Sequence, residues 1–213
     1  MKTIKASEEY LLSSLTREDL STDPFNQFDK WFKDALASDI KEPNAMTLAT
    51  VNADNTPSAR MVLLKDYSTR GFIFFTNYSS RKGRSLLLTN PYAALVFWWE
   101  PLQRQIRIEG IAHKLSSKLS NEYFNSRPRG SQLGAIASQQ SQTLDAYETL
   151  ENQYKELDQR FRNKTIERPD NWGGIVINPE RFEFWQGRPN RLHDRFIYQR
   201  DDKKNWQIER LYP

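Results

Sequence analysis

AMTLATVN (45–52), SARMVLLK (58–65) and GFIFFTN (71–77) are three runs rich in β-branched and aromatic residues, each long enough for one strand. Asn52-Ala53-Asp54-Asn55 and Tyr67-Ser68-Thr69-Arg70-Gly71 lie between them and carry turn chemistry. Strands joined by such short turns make an antiparallel meander, and everything outside this stretch is read against it.

Downstream, Ser79 to Leu88 reads as a short helix stopped by Asn90-Pro91. Two more strands follow, Tyr92 to Trp99 and Gln103 to His113, joined across Glu100-Pro101-Leu102. Short helices are expected over Leu115 to Phe124 and Gly130 to Ser138, on either side of Arg127-Pro128-Arg129. Leu144, Tyr147, Leu150, Tyr154, Leu157 and Phe161 mark a longer helix. Trp172 to Asn178, Arg181 to Gln186, Leu192 to Gln199 and Asn205 to Leu211 are again short strands.

Upstream, Asp23 and Pro24 supply an N-cap and a first helical residue. Phe25, Phe28, Trp31, Phe32, Ala35 and Leu36 then define an amphipathic helix to about Ser38. Residues 1–20 are polar and aperiodic, which suggests a mobile N-terminal arm, with residues 21–213 as a single domain. Strands, then helices, then strands, without βαβ alternation, predict a mainly β antiparallel barrel with peripheral helices.

Composition narrows the function. With no Cys, neither a disulfide framework nor a thiolate metal site is available, and only two histidines argue against zinc. No apolar run approaches the roughly 18–20 residues of a membrane span, and no apolar stretch follows Met1-Lys2-Thr3-Ile4-Lys5. A cytoplasmic, metal-free protein is the expectation. The net charge of +4 comes in pairs and singles beside aromatic and small residues, a pattern suited to small anionic ligands rather than a long polyanion track. Rossmann, Walker A, zincin and nucleophile-elbow motifs are all missing, so any catalysis draws its reactive group from a cofactor.

Four constellations stand out. Arg60 and Lys65 flank an apolar strand, and their odd separation projects them from opposite faces. In TNYSSRKG (76–83), Arg81 and Lys82 fall in the first turn of a helix, where cations oppose the macrodipole unless an anion binds there. Tyr123, Arg127, Arg129 and Ser131 gather hydroxyls and guanidiniums around a proline turn. In FWQGRPNRLHDR (184–195), Arg191, His193 and Arg195 alternate, placing three cationic or titratable groups on one strand face. Each set also reads as solvated surface charge or a structural histidine, and residue type alone leaves both readings open.

At these residues the chain resembles the pyridoxamine 5′-phosphate oxidase family. RMVLLK (60–65), the TN…SRKG stretch (76–83), RQIRIEG (104–110), YFNSRPRGSQLGAIASQQS (123–141), WGG (172–174), FEFWQGRPNRLHDRF (182–196) and the RLYP tail carry the likeness, in family order. The resemblance implies an FMN-binding split β-barrel working as a homodimer, with flavin at the subunit interface and no nucleic-acid or membrane partner. It implies FMN contacts from Arg60, Met61, Val62, Leu63, Phe75, Thr76, Arg81, Lys82, Gln105, Gln140, Ser141, Trp185 and Arg195. Lys65, Tyr123, Arg127 and Ser131 would hold the substrate phosphate, and Arg191 and His193 would lie over the substrate ring as its catalytic pair. The implied reaction is oxidation of pyridoxamine and pyridoxine 5′-phosphates by O2 to pyridoxal 5′-phosphate and H2O2, by hydride transfer from C4′ to flavin N5, in vitamin B6 metabolism. Another split-barrel enzyme, such as a flavin reductase, is the alternative; a basic nucleic-acid-binding module is a more distant one. One departure stands. The family's arginine-rich segment ending in a lid Tyr is matched here by Ser7-Glu8-Glu9-Tyr10, so the lid role is not carried over.

Overall fold

The structure, a computed structural model, describes residues 10–213. Its strands are β1 (Ala45–Val51), β2 (Pro57–Leu63), β3 (Asp66–Ser68), β4 (Gly71–Asn77), β5 (Tyr92–Trp99), β6 (Arg104–Lys114), β7 (Trp172–Gln186), β8 (Asp194–Arg200) and β9 (Trp206–Leu211). The α-helices are α1 (Pro24–Leu36), α2 (Arg81–Arg84), α3 (Ser117–Ser126), α4 (Arg129–Ala137) and α5 (Tyr147–Arg160). The strands form one sheet in the order β2-β1-β5-β6-β7-β4-β3, with β8 on β7 and β9 on β8. Ladders β3–β4, β4–β7, β7–β8 and β8–β9 are antiparallel. This is the mainly β architecture with peripheral helices that the strand pattern predicts and the split barrel that the resemblance implies, but the meander expected over 45–77 is not formed: β4 pairs with β3 and β7, where a meander would put it on β2.

Two compact units are distinguishable, and their boundaries fall inside β1, β5, β6 and β7 rather than in linkers. The first comprises the chain up to Leu48, residues 94–110 and residues 179–213. Its core is aromatic because α1 turns one face onto the sheet. Phe28 meets Phe97 at 5.3 Å and Trp31 meets Phe184 at 5.3 Å, ring to ring. The helix starts where expected, with Asp23 Oδ1 accepting from the Phe25 and Asn26 amides at 2.8 and 3.2 Å. Burying each such ring contributes about 1.5–3 kcal/mol. Of the arm expected to be mobile, residues 1–9 lie outside the described residues. Residues 10–20 are seated on this unit, with Leu15 and Leu20 buried, because two apolar side chains five apart find sites in its surface.

The second unit comprises residues 49–93 and 111–178. Phe124, Leu133, Ile166 and Trp172 form its small core, with Phe75, Tyr123, Tyr154, Leu157 and Phe161 packed around them. Gly173 opposes Thr76 across the β4–β7 ladder. A Cβ there would fall 2.1 Å from the Tyr78 hydroxyl and 2.9 Å from Ser120 Oγ, which is why the sequence has glycine after Trp172.

Several local expectations need correction, among them Tyr67 and Ser68, which are expected in a turn and lie in β3, paired with Phe72 and Gly71. The two strands expected over 172–186 are one, with Pro179 falling between the ladder to β4 over 172–177 and the ladder to β8 over 181–186. The helix expected over 79–88 is a single α-turn followed by a π-turn, Ser85–Thr89. Strand β8 starts at Asp194, not at Leu192, because Pro189–Arg191 forms a 3₁₀ turn with Asn190 and Arg191 at φ 56° and 59°.

Candidate active site

In the second unit, β2, β4, α2 and the segment after α4 bring cations and hydroxyls together. Lys82 Nζ donates to Gln140 Oε1 at 2.8 Å and to Thr76 Oγ1 at 3.3 Å, and Thr76 Oγ1 donates to the same Gln140 oxygen at 3.0 Å. Arg60 donates to Thr50 Oγ1 at 2.9 Å and Ser58 Oγ at 2.6 Å, and Arg81 Nε donates to Asn52 Oδ1 at 3.3 Å. Among the described residues neither Arg81 nor Lys82 has a carboxylate within salt-bridge distance. Burial first, and the charge of Arg60 second, push the Lys82 amine down to about 8. Burial, then Arg81, lowers Arg60 as well. Three cations gathered in one place, two of them, Arg81 and Lys82, without a carboxylate in salt-bridge distance among the described residues, are arranged for an anion.

At the start of α2, Ser80 Oγ caps the Gly83 amide at 3.2 Å. Ser141 follows Gln140 with φ 73° and is exposed. Met61 is 62% exposed on β2, with Val62 and Leu63 half-buried beside it.

A second set in the same unit surrounds Trp172. Tyr123, on α3, stacks on Phe75 at 3.7 Å and 17°, and lies 6.2 Å from Trp172 at 5°. Arg127, which caps α3, places its guanidinium 4.6 Å from the Trp172 ring centre. Its Nη1 is buried and has no hydrogen-bond partner. Burial lowers the Arg127 pKa, the Tyr123 hydroxyl opposing it. Arg129, grouped with these residues in the sequence, instead pairs with Asp158 and ties α4 to α5. Ser131 and Lys65 are exposed, and among the described residues no side-chain hydrogen bond or ion pair joins them to Arg127. Lys65 lies beyond the end of β2, held by its amide to the Ile73 carbonyl at 2.8 Å, so it does not share a strand with Arg60 as expected.

In the first unit, Trp185 on β7 faces the loop before β8. His193 lies 4.5 Å from its ring centre, and His193 Nδ1 accepts from the Arg188 amide at 3.1 Å, which leaves the ring proton on Nε2. Burial, followed by Arg191 and Arg195, lowers the His193 pKa, with Asp194 opposing. The shared strand face expected for Arg191, His193 and Arg195 is not formed. Arg191 is exposed in the left-handed turn, His193 is in the loop, and only Arg195 is on β8. The anion that balances Arg195 is internal: Glu183 Oε1 accepts from its Nε at 2.8 Å, and the other Glu183 oxygen accepts from Arg107 at 3.1 Å. Gln105 sits half-buried on β6 between Arg104 and Arg107.

Tyr10, set aside in the sequence for want of neighbouring arginines, is packed here. Its ring lies 5.7 Å from both Trp185 and His193. A Cβ on Gly187 would fall 2.7 Å from Tyr10 Cγ, so the absence of a side chain at 187 makes room for this contact.

Comparison with known proteins identifies the family. The family described as "Pyridoxamine 5'-phosphate oxidase" matches residues 32–161, and the "Pyridoxine 5'-phosphate oxidase C-terminal dimerisation region" matches residues 172–213. Proteins named pyridoxine/pyridoxamine 5′-phosphate oxidase are similar throughout: that of Nostoc punctiforme is 52% identical over 206 residues (97% of this chain, 96% of that one). That of Bordetella pertussis is 53% identical over 206 residues, 97% of each chain. Among solved structures, PhzG from Burkholderia lata, in complex with tetrahydrophenazine-1-carboxylic acid, superposes with a TM-score of 0.88 at 29% identity, covering 95% of this chain and 99% of that one. With both family matches in chain order and full-length relatives at half identity, the chain belongs to the pyridoxamine 5′-phosphate oxidase family.

Proposed function

We propose that this chain is an FMN-dependent oxidase converting pyridoxamine and pyridoxine 5′-phosphates to pyridoxal 5′-phosphate, with O2 as acceptor and H2O2 released. It would work as a homodimer in vitamin B6 metabolism in the cytoplasm. The observation that carries the reading is the buried Arg127 Nη1 without a partner, a donor that a phosphate oxygen satisfies. The Arg60, Arg81 and Lys82 set in the same unit fits a second phosphate, that of FMN, with Thr76, Gln140 and Ser141 around it.

Bound FMN supplies a hydride acceptor that O2 can reoxidise. The chain's residues bind and orient. Arg127 and Tyr123 hold the substrate phosphate, with Lys65 and Ser131 approaching from exposed positions. Met61, Val62, Leu63, Phe75, Gln105, Trp185 and Arg195 would complete the flavin contacts. Glu183 keeps Arg195 in one orientation. Arg191 offers a planar guanidinium to a flat ring, and neutral His193 offers an Nε2 proton to a substrate heteroatom. A phenazine carboxylate, as in the Burkholderia lata complex, lacks a phosphate for the second cation set, and the relatives at half identity favour the vitamer phosphates.

Steady-state oxidation of both phosphate esters by the FMN-loaded protein, with peroxide measured alongside, tests the proposal. Equal yields of aldehyde and peroxide are expected, with unphosphorylated pyridoxine a far poorer substrate. Turnover of neither ester would end it.

A further inference from the structure

Asp194 is buried, with 6% exposure, at the first residue of β8. A buried carboxylate is stable only where partners replace its water, and here three chain segments do so. Oδ2 accepts from the Leu15 amide at 3.0 Å and lies 3.7 Å from Arg188 Nε; Oδ1 accepts from Arg210 Nη2 at 2.5 Å. Arg188 is also the residue whose amide donates to His193 Nδ1, and Asp194 is the next residue after His193. One carboxylate therefore touches both ends of the loop that carries His193.

Its other contact reaches the arm. Leu15 is buried five residues after Tyr10, and the Leu12 amide is held by Gln103 Oε1 at 3.3 Å. Tyr10 thus arrives on Gly187, Trp185 and His193 from a backbone whose register the Leu15–Asp194 bond fixes. We propose that Asp194 is a positioning residue, fastening the arm that bears Tyr10 to the loop that bears His193, so that arm and loop act on the substrate as one body. This rests on the functional reading above, in which His193 faces the substrate.

Asp194→Asn tests it with little change of shape. An amide has a single oxygen, so it cannot accept from Leu15 and Arg210 together, and its NH2 must face one of those donors. In the FMN-loaded protein, trypsin cleavage after exposed Arg17 should accelerate about tenfold, while cleavage after Lys164 in the other unit keeps its rate. The KM for pyridoxine 5′-phosphate should rise on the order of tenfold with kcat changed much less. Combined with Tyr10→Ala, Asp194→Asn should add nothing to the KM, because both act through the arm. Arg210→Gln, on an exposed strand, should shift cleavage in the same direction by less, and it decides the matter if Asp194→Asn fails to fold. Unchanged cleavage after Arg17, or KM effects that multiply in the double variant, would overturn the proposal. If the wild-type protein oxidises neither ester, the functional reading fails, while the cleavage comparison still decides whether Asp194 fastens the arm.

Discussion

Replacing Arg127 by leucine should separate substrate binding from stability. The guanidinium is desolvated over Trp172 with one buried nitrogen unbonded. A hydrogen bond from that nitrogen to phosphate contributes about 1.5–3 kcal/mol. At about 1.4 kcal/mol per factor of ten, the KM for pyridoxine 5′-phosphate should rise roughly 10- to 150-fold. Without substrate the balance differs. Leucine removes an unmet donor that costs about 1–3 kcal/mol and forfeits a cation–π contact of about 0.5–2 kcal/mol. These nearly cancel, and a residue of about 1 kcal/mol would move Tm by only about 2–4 °C. The assay pairs steady-state kinetics on pyridoxine 5′-phosphate and pyridoxine with thermal unfolding of the FMN-free protein. The phosphate ester should lose its advantage over the free alcohol, and Tm should barely change. An unchanged KM, or loss of FMN in place of substrate affinity, would refute the assignment, and a Tm drop beyond about 8 °C would make Arg127 structural.

Arg81→Ala with Lys82→Ala should lower FMN affinity at least a hundredfold, as two charge-assisted bonds are lost, with far-UV circular dichroism unchanged; equal affinity would displace the flavin phosphate from this set. Because burial and Arg60 hold the Lys82 amine at about 8 without ligand, phosphate must bind with proton uptake above that pH. FMN affinity titrated fluorimetrically should therefore be level just below pH 8 and fall above it, and the fall should vanish in Lys82→Met. The same shift makes FMN-free stability rise as pH increases from about 8 toward the ordinary lysine value, since the unfolded chain holds the extra proton. Arg191→Lys should cut kcat/KM markedly with FMN content intact, because an ammonium cannot stack on a ring, and His193→Asn should cost less, chiefly in KM. The His193 pKa is lowered, so its protonation should reduce kcat/KM only below the usual histidine range, an acid limb missing from His193→Asn. Sedimentation should find a dimer near twice 25.1 kDa, and a fully active monomer would contradict a shared site.

Much of the fold was legible because its signals are local. Period-two runs gave β1, β4, β5 and β6 nearly to the residue, and Asp23-Pro24 started α1 where expected. Residue chemistry also picked out Arg81, Lys82 and Arg127, since clustered cations without acids signal an anion wherever they occur. What failed was inference from alternation. Arg191, His193 and Arg195 alternate in sequence, yet the turn at Pro189-Asn190 starts the strand only at Asp194 and sends the three side chains to different tasks. Pairings distant in sequence were decided by packing alone: Gln140 against Lys82, Glu183 holding Arg195, and Asp194 holding Leu15 across 179 residues. Tyr10 shows the limit most clearly. Its neighbours Ser7-Glu8-Glu9 lack the expected arginines, but the ring's place depends on a vacancy at Gly187 and an amide bonded at Leu15. The sequence determined the strands, the helix start and the charge chemistry, because each is set by neighbours within a few residues. Only the tertiary structure decided which charges meet, because that depends on the register of strands far apart in the chain.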